Sequence, residues 1–193
     1  MWVETPRTTA YIVQQFGKPH SVTGFLRSLR SGAGDSDVDD SYTIILQYDP
    51  QGPQKNLICT VKTNVYSKMD NVLGYLIRGR DGSFIKMGDD QQEYQIHDGL
   101  KITDAKFGIE PEDMWSTLTT RTQVDADQRE KKKDVWVGRI KSAKGDYTNY
   151  YKDVARAVRG DIEPVIKLET SRDGIRVIEA ARESSVTGKA VLF

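Results

Sequence analysis

The sequence predicts an α+β fold: an open-faced, mostly antiparallel sheet with helices packed on one face. Three observations carry this reading. Between residues 22 and 87, short segments alternate side chains with the period of a strand, and turn-rich links join them. Within that run Asp81-Gly82 is a hairpin signal, because both central positions of a two-residue turn favour positive φ. The C-terminal third then switches to a 3.6-residue period. Strands first and helices afterwards make a layer of helices on a sheet. No linker, internal repeat or low-complexity tract divides the chain, so residues 1–193 read as a single domain.

In "TAYIVQQFG", Tyr11, Ile12 and Phe16 stand at helical spacing, and Gly17 is the expected C-terminal cap. Val22, Gly24, Leu26 and Ser28 then alternate with Thr23, Phe25, Arg27 and Leu29 in a first strand. "SGAGDSDVDD" is a loop by composition. "SYTIILQYD" forms a second strand, ended by "PQGPQ", and "NLICTVKTNVY" a third. In the third, Leu57, Cys59, Val61, Thr63 and Val65 share one face. The other face carries Thr60, Lys62, Asn64 and Tyr66, which suits solvent, a site or a wet subunit interface. Strands near 72–79 and 83–87 pair through the hairpin, after which Gly88 opens a polar loop. In "DYTNYYKDVARAVRG", the residues Tyr147, Tyr150, Tyr151, Val154, Ala155 and Val158 form an apolar stripe. Asp146 is the expected cap at its start and Gly160 at its end. "TSRDGIRVIEAARESSVTG" repeats the plan with Ile175, Ile178 and Ala181, a cap at Thr170 or Ser171, and Gly188 as terminator. Helices 147–159 and 172–186 are therefore expected on one sheet face.

Composition excludes several classes. Hydrophobic residues make up 37% and charged residues 29%, a globular and soluble balance. Lys plus Arg number 28 and Asp plus Glu 28, so the formal charge is zero and nothing points to nucleic acid or an anionic membrane. The basic run Arg129–Lys133 reads as a solvated loop. The lone Cys59 allows no internal disulfide and fits a reducing, cytoplasmic setting; its neighbours make it a buried strand residue rather than a nucleophile. No apolar stretch is long enough to span a membrane, and the N-terminus lacks the pattern of a secretory signal.

Glycine fingerprints for dinucleotides or phosphates are absent, and His20 and His97 lack ligand spacing to carboxylates or Cys59, so neither cofactor nor metal is expected. What remains is carboxylate chemistry. "MGDDQQEYQIHDG" gathers Asp89, Asp90, Glu93, Tyr94 and His97 just after Lys86. Carboxylates, an imidazole and a lysine this close can supply an acid and a base whose pKa values are pushed apart. Asp89, Glu93 and His97 are the catalytic candidates, with Lys86 and Tyr94 as substrate-orienting groups. Asp39, Asp40 and Tyr42, at the end of "DSDVDDSY", are further substrate-binding candidates; Asp35 and Asp37 precede them. The competing reading of both stretches is ordinary solvated surface. In "GIEPEDMW", Pro111 stands near a helix start with Glu112 and Asp113 complementing its dipole.

Five blocks then occur in order: "FGKPHSVTGFLRSLR", "GRDGSFIKMGDDQQEYQI", "FGIEPEDMWSTLTT", "GDYTNYYKDVARAVRGD" and "EAARESSVTGKAVLF". Together, from Phe16 to Phe193, they resemble the C-terminal half of the glucose–fructose oxidoreductase / inositol dehydrogenase (Gfo/Idh/MocA) family, especially its fungal members. The resemblance implies an open-faced antiparallel sheet with helices on one side, binding substrate and forming a homodimer through the exposed sheet face. It also implies an N-terminal Rossmann domain, which this sequence does not contain. The helix before the "FG" supplies a His and an Asp in the family; counted back without gaps, those positions are Arg7 and Ala10. Ala10 cannot ionise and Arg7 is a poor base. The opening "MWVETPRTTA" departs from the family helix, which favours a natural stand-alone protein over a fragment.

The function expected from these departures is a cofactor-independent, non-redox enzyme of fungal specialised metabolism. It would act on a small metabolite such as a polyketide by cyclisation, lactonisation, hydrolysis or isomerisation. The alternatives are the substrate-binding and dimerisation part of an NAD(P)-dependent oxidoreductase, or a non-catalytic binding or regulatory protein.

Overall fold

The computed structural model describes residues 4–29 and 38–193, with the side chains of residues 4–7 also outside the description. The loop expected around 31–40 therefore lies mostly outside the described residues, as do Asp35, Asp37 and the Arg7 side chain. The fold is α+β, as the sequence predicts, but its strands form two sheets in two compact units instead of one sheet. One unit comprises Met1–Lys68 with Pro164–Phe193, the other Met69–Glu163. Every strand pairing among the described residues is antiparallel.

The first unit holds helix α1 (Glu4–Phe16), strands β1 (Ser21–Arg27), β2 (Ser41–Gln47) and β3 (Ile58–Asn64), helix α4 (Leu168–Thr187) and the short β9 (Val191–Leu192). Its sheet runs β3-β2-β1-β9, and α4 packs against both β1 and α1. The core is the inward face expected from alternation: Val22, Ile44, Leu46 and Val61 meet Val13 of α1 and Val177, Ala180 and Ala181 of α4. Burying one such aliphatic side chain contributes about 1.5–3 kcal/mol. Gly17 ends α1 at φ 77° and Gly188 ends α4 at φ 69°, as expected of left-handed caps. The start of α4 differs: it begins at Leu168 after Lys167, so Thr170 and Ser171 lie inside the helix rather than capping it. Lys18 and Arg172 both reach the nearly buried Asp173 of α4 at 3.3 and 3.0 Å.

Close backbone approach governs how α4 meets the sheet. Gly24 of β1 donates its N–H to Ser184 Oγ at 3.0 Å, and Leu26 N–H donates to Ser185 Oγ at 2.9 Å. Gly24 has no room for a side chain: a Cβ there would overlap the Ala181 carbonyl oxygen and stand 2.7 Å from its carbon. On α4, Gly174 similarly lies against Ala10 of α1.

The second unit holds strands β4 (Leu73–Arg78) and β5 (Gly82–Met87), helix α2 (Gln91–His97), strands β6 (Ser116–Thr120), β7 (Arg129–Lys132) and β8 (Val135–Ile140), and helix α3 (Thr148–Val158). The sheet order is β4-β5-β6-β8-β7. β4 and β5 form the expected hairpin, but neither Asp81 nor Gly82 has positive φ; Gly79 N–H closes the turn on Gly82 O at 2.8 Å. Gly82 is required by its neighbour strand instead, since a Cβ would stand 2.7 Å from Thr119 O. The basic run is not a loop: Arg129–Lys132 form the edge strand β7, exposed throughout, and turn into β8 at Asp134 with φ 59°. A charged edge of this kind resists pairing with other chains. Pro111 precedes a 3-10 turn, Glu112–Met114, with both acids in it.

Buried Gln128 holds this sheet's far side. Its Oε1 accepts from Val124 N at 2.8 Å and Asp125 N at 3.1 Å; its Nε2 donates to Thr120 Oγ1 at 2.7 Å and Trp136 O at 3.3 Å. α3 begins where expected, with Asp146 Oδ1 accepting from Thr148 N at 2.9 Å, and ends at Gly160, φ 79°. Its stripe is not packed on a sheet face as expected: no residue of α3 is buried.

Candidate functional site

The polar segment after β5 is a helix, where a loop is expected. Gly88, at φ 81°, turns the chain, and Asp90 caps α2 by accepting from Gln92 N at 3.0 Å. The long polar run has a structural use. Buried Gln92 also donates through Nε2 to Asp90 at 3.2 Å and accepts from Tyr147 N at 3.0 Å, while Tyr147 OH donates to Asp90 Oδ2 at 2.8 Å. Gln95 accepts from Gly108 N at 2.7 Å and donates to Ile109 O at 3.0 Å. Gln91 reaches Met114 Sδ. Two glutamines thus replace the apolar stripe a short helix would otherwise need, by satisfying backbone groups of the neighbouring segments.

Asp89, Glu93 and His97 all lie on the exposed side of this segment. Tyr94, half-exposed, donates to Asp89 Oδ2 at 3.3 Å; no hydrogen bond or ion pair among the described residues joins Asp89, Glu93 and His97 to one another. Lys86 is placed apart from them. It pairs with Glu110, both side chains nearly buried at 12% and 9% exposure, and donates to Met114 O at 2.7 Å. Glu110 also accepts from Ser142 N at 2.6 Å. Burial alone raises the Glu110 carboxyl pKa, but the hydrogen bonds from Lys86 and Ser142 prevail and hold it below the ordinary carboxylate range. Glu110 is the residue that sequence reasoning missed here. Its partner lies 24 positions away, and no local pattern connects the two.

The second candidate group belongs to the other unit. Asp40 is buried, accepts from Leu29 N at 2.7 Å and receives Val65 N on its backbone oxygen at 3.0 Å. Asp39 meets Arg182 of α4 at 3.5 Å, and Tyr42 is partly buried against the core. Asp40 thereby clasps the ends of β1 and β3. Cys59 is half-buried beside the same core; burial raises its thiol pKa, and burial with the nearby Cys59 pushes the Tyr48 hydroxyl up as well. Both belong to packing rather than to an open site.

With this geometry in place, comparison identifies the class. The model of the oxidoreductase family's C-terminal alpha/beta domain (Gfo/Idh/MocA) matches residues 11–193, and the chain belongs to that family. Among particular proteins, the uncharacterized oxidoreductase C26H5.09c of Schizosaccharomyces pombe is 32% identical over 180 residues, covering 91% of this chain and 47% of its own length. IolW of Bacillus subtilis, a scyllo-inositol 2-dehydrogenase (NADP(+)), is 34% identical over 119 residues, which is 62% of this chain and 31% of that protein. The solved structure of yvaA from Bacillus subtilis, assigned as an oxidoreductase, superposes with a TM-score of 0.81 at 26% identity, covering 97% of this chain and 48% of that one. The chain spans about half the length of these full-coverage relatives.

These likenesses correct the expectation of a cofactor-independent, non-redox cyclase or hydrolase. The family and the relatives named above are oxidoreductases, and nothing among the described residues favours cyclase chemistry. The match extends over 47% of C26H5.09c and 48% of yvaA, so the lack of a Rossmann pattern within these 193 residues does not imply a change of activity. No described helix is long and apolar enough to cross a membrane.

Proposed function

We propose that this chain is the C-terminal, substrate-binding and subunit-contact part of an NAD(P)-dependent oxidoreductase. The carrying observation is the family match over residues 11–193, supported by the half-length superposition on yvaA. The described residues do not fit a dinucleotide themselves. Their strands pair antiparallel, and no Gly-x-Gly-x-x-Gly turn leads from a strand to a helix N-terminus. The nucleotide chemistry is assigned to the other half that the relatives possess, and this chain's share is to bind and orient the substrate. Likeness to IolW favours a cyclic polyol as substrate class. The exposed side of α2, with Asp89, Glu93 and His97, is the candidate substrate-facing surface, with Tyr94 beside it.

The partner reading is a homodimer through an open sheet face. Thr60, Lys62, Asn64 and Tyr66 all stand exposed, as alternation predicts, and a stable interface there would bury above roughly 1,200 Å² in total. A fungal source and a cytoplasmic setting fit the fission yeast relatives and the lone cysteine. The test is a chimera in which the unmatched half of C26H5.09c precedes this chain. NADP⁺ reduction dependent on an inositol or related polyol supports the reading. A folded chimera that binds NADPH yet oxidises no polyol or sugar removes it.

A further inference from the structure

We propose that strand β4 is a self-pairing edge, at which two copies of this chain join the sheets of their second units antiparallel about a twofold axis. This contact is separate from the open-face pairing above and does not depend on the oxidoreductase reading. The two sheets of the described residues have four edges, and three are guarded. β7, Arg129–Lys132, carries only charged residues. β3 carries exposed Lys62 near its middle. β9 is two residues long, and beyond it the N–H groups of Gly24 and Leu26 on β1 are taken by Ser184 and Ser185 of α4. Charges, short strands and covering helices are how a sheet avoids pairing with other chains. β4 has none of them before Arg78. All six of its residues are exposed, Tyr75 at 55%, Leu76 at 51% and Ile77 at 56%. Tyr75 and Ile77 project from one face and Leu76 from the other, so apolar side chains stand in water on both sides of an open edge.

The backbone of this edge is free as well. Gly79 N–H bonds to Gly82 O, so by antiparallel alternation Tyr75 and Ile77 turn their backbone groups to β5, while Leu76 and Arg78 turn theirs outward. No hydrogen bond from a described residue reaches those outward groups. The bulge between Leu73 and Tyr75 leaves Tyr75–Arg78 as the regular stretch. The occupant follows from the sequence of that stretch, which is complementary to itself. With Leu76 on the axis, its N–H and C=O exchange bonds with the same groups of the copy. Tyr75 of each copy then falls opposite Ile77 of the other, an aromatic and β-branched pair on both sides of the axis. Gly74 falls opposite Arg78, which leaves room for the guanidinium, and the two arginines end roughly 13 Å apart. A formal net charge of zero adds no repulsion between copies. Val72 and Ile85, exposed beside the strand, extend the apolar surface. With them β4 offers roughly 500 Å² per copy, so mating covers roughly 1,000 Å² in total, about what a specific interface needs.

The experiment is disulfide trapping of Leu76→Cys, combined with Cys59→Ser, in the native polypeptide carrying this sequence. Across the axis the two Cα atoms of a hydrogen-bonded pair stand about 5.5 Å apart, within disulfide reach. Under a mild oxidant, linked copies of the peptide containing position 76 should form at least ~10-fold faster than those of Val124→Cys, an exposed loop position, as read by mass spectrometry. Leu76→Lys sets like charges opposite each other and should weaken self-association in sedimentation by about 10-fold or more, with the circular dichroism unchanged. Thr60→Glu, on the sheet of the other unit, should leave the link at position 76 intact. Linking no faster than at Val124, or a Leu76→Lys protein that associates as before, overturns the inference. So does loss of the link in Thr60→Glu, which would bring the copies together through the open face instead. A Leu76→Cys protein that neither links nor reacts with a soluble maleimide also overturns it, because something other than a copy then covers the edge. If Leu76→Lys disturbs folding, the trapping rate alone decides. No arm reads nucleotide binding, so the functional reading stands or falls separately.

Discussion

Replacing Gly24 with alanine tests how the first unit is held together. The new methyl would overlap the Ala181 carbonyl oxygen and stand 2.7 and 2.8 Å from that residue's C and Cα, where ordinary contacts begin at 3.4 Å. Those are backbone atoms in the middle of a 20-residue helix, so no rotamer change relieves the clash. α4 must retreat from β1 by roughly 1 Å, an overpacking strain of about 1–3 kcal/mol. The same retreat stretches the bonds from Gly24 to Ser184 and from Leu26 to Ser185, each contributing about 1 kcal/mol. Against this, alanine stabilises by about 0.4–1 kcal/mol through the unfolded chain. The net loss is about 2–3 kcal/mol. With a urea m-value of about 2 kcal/mol/M, the midpoint should fall by about 1–1.5 M at unchanged m. A midpoint that stays put would refute the claim that α4 seats on β1 through this glycine.

Four further outcomes follow from the same structure. Glu110→Gln or Lys86→Met, breaking the nearly buried pair, should each destabilise by about 3–5 kcal/mol in thermal or urea unfolding. Because the Glu110 pKa is depressed on folding, its contribution is complete above the ordinary carboxylate pKa and is lost as pH falls through the lowered folded value; Glu110→Gln should remove that part of the acid loss. Gln128→Leu leaves two backbone N–H groups and two acceptors without their partner, and should lower stability by about 2–4 kcal/mol. Cys59, its thiol pKa raised by burial, should react with a thiol reagent at least ~10-fold more slowly in the native protein than after unfolding.

How far the sequence could be read depended on where the stabilising partner lies. Strands β1 to β5 were legible because each alternates by itself, and the caps Gly17, Gly160 and Gly188 sit at their own helix ends. β7 was not, because its four charged residues form a strand only by pairing with β8. α2 was hidden for a similar reason. It has no apolar stripe, and its glutamines find partners at Gly108, Ile109 and Tyr147 that no local pattern reveals. The α3 stripe was legible as a face needing cover, but periodicity cannot say what covers it. Of the candidate residues, the sequence placed Asp89, Glu93 and His97 together along the chain. It could not show that Lys86 turns away to Glu110, or that Asp40 serves backbone groups.

The most direct measurement is a fluorescence titration of NADH and NADPH against the native molecule carrying this sequence, isolated from its source with an antibody to α4 and sized by sedimentation. The account predicts that this sequence is found with a nucleotide-binding half, in one polypeptide or in a complex, and that one of the two nucleotides binds saturably at micromolar concentration. A native species no larger than copies of the 21.8 kDa chain, binding neither nucleotide, would contradict it.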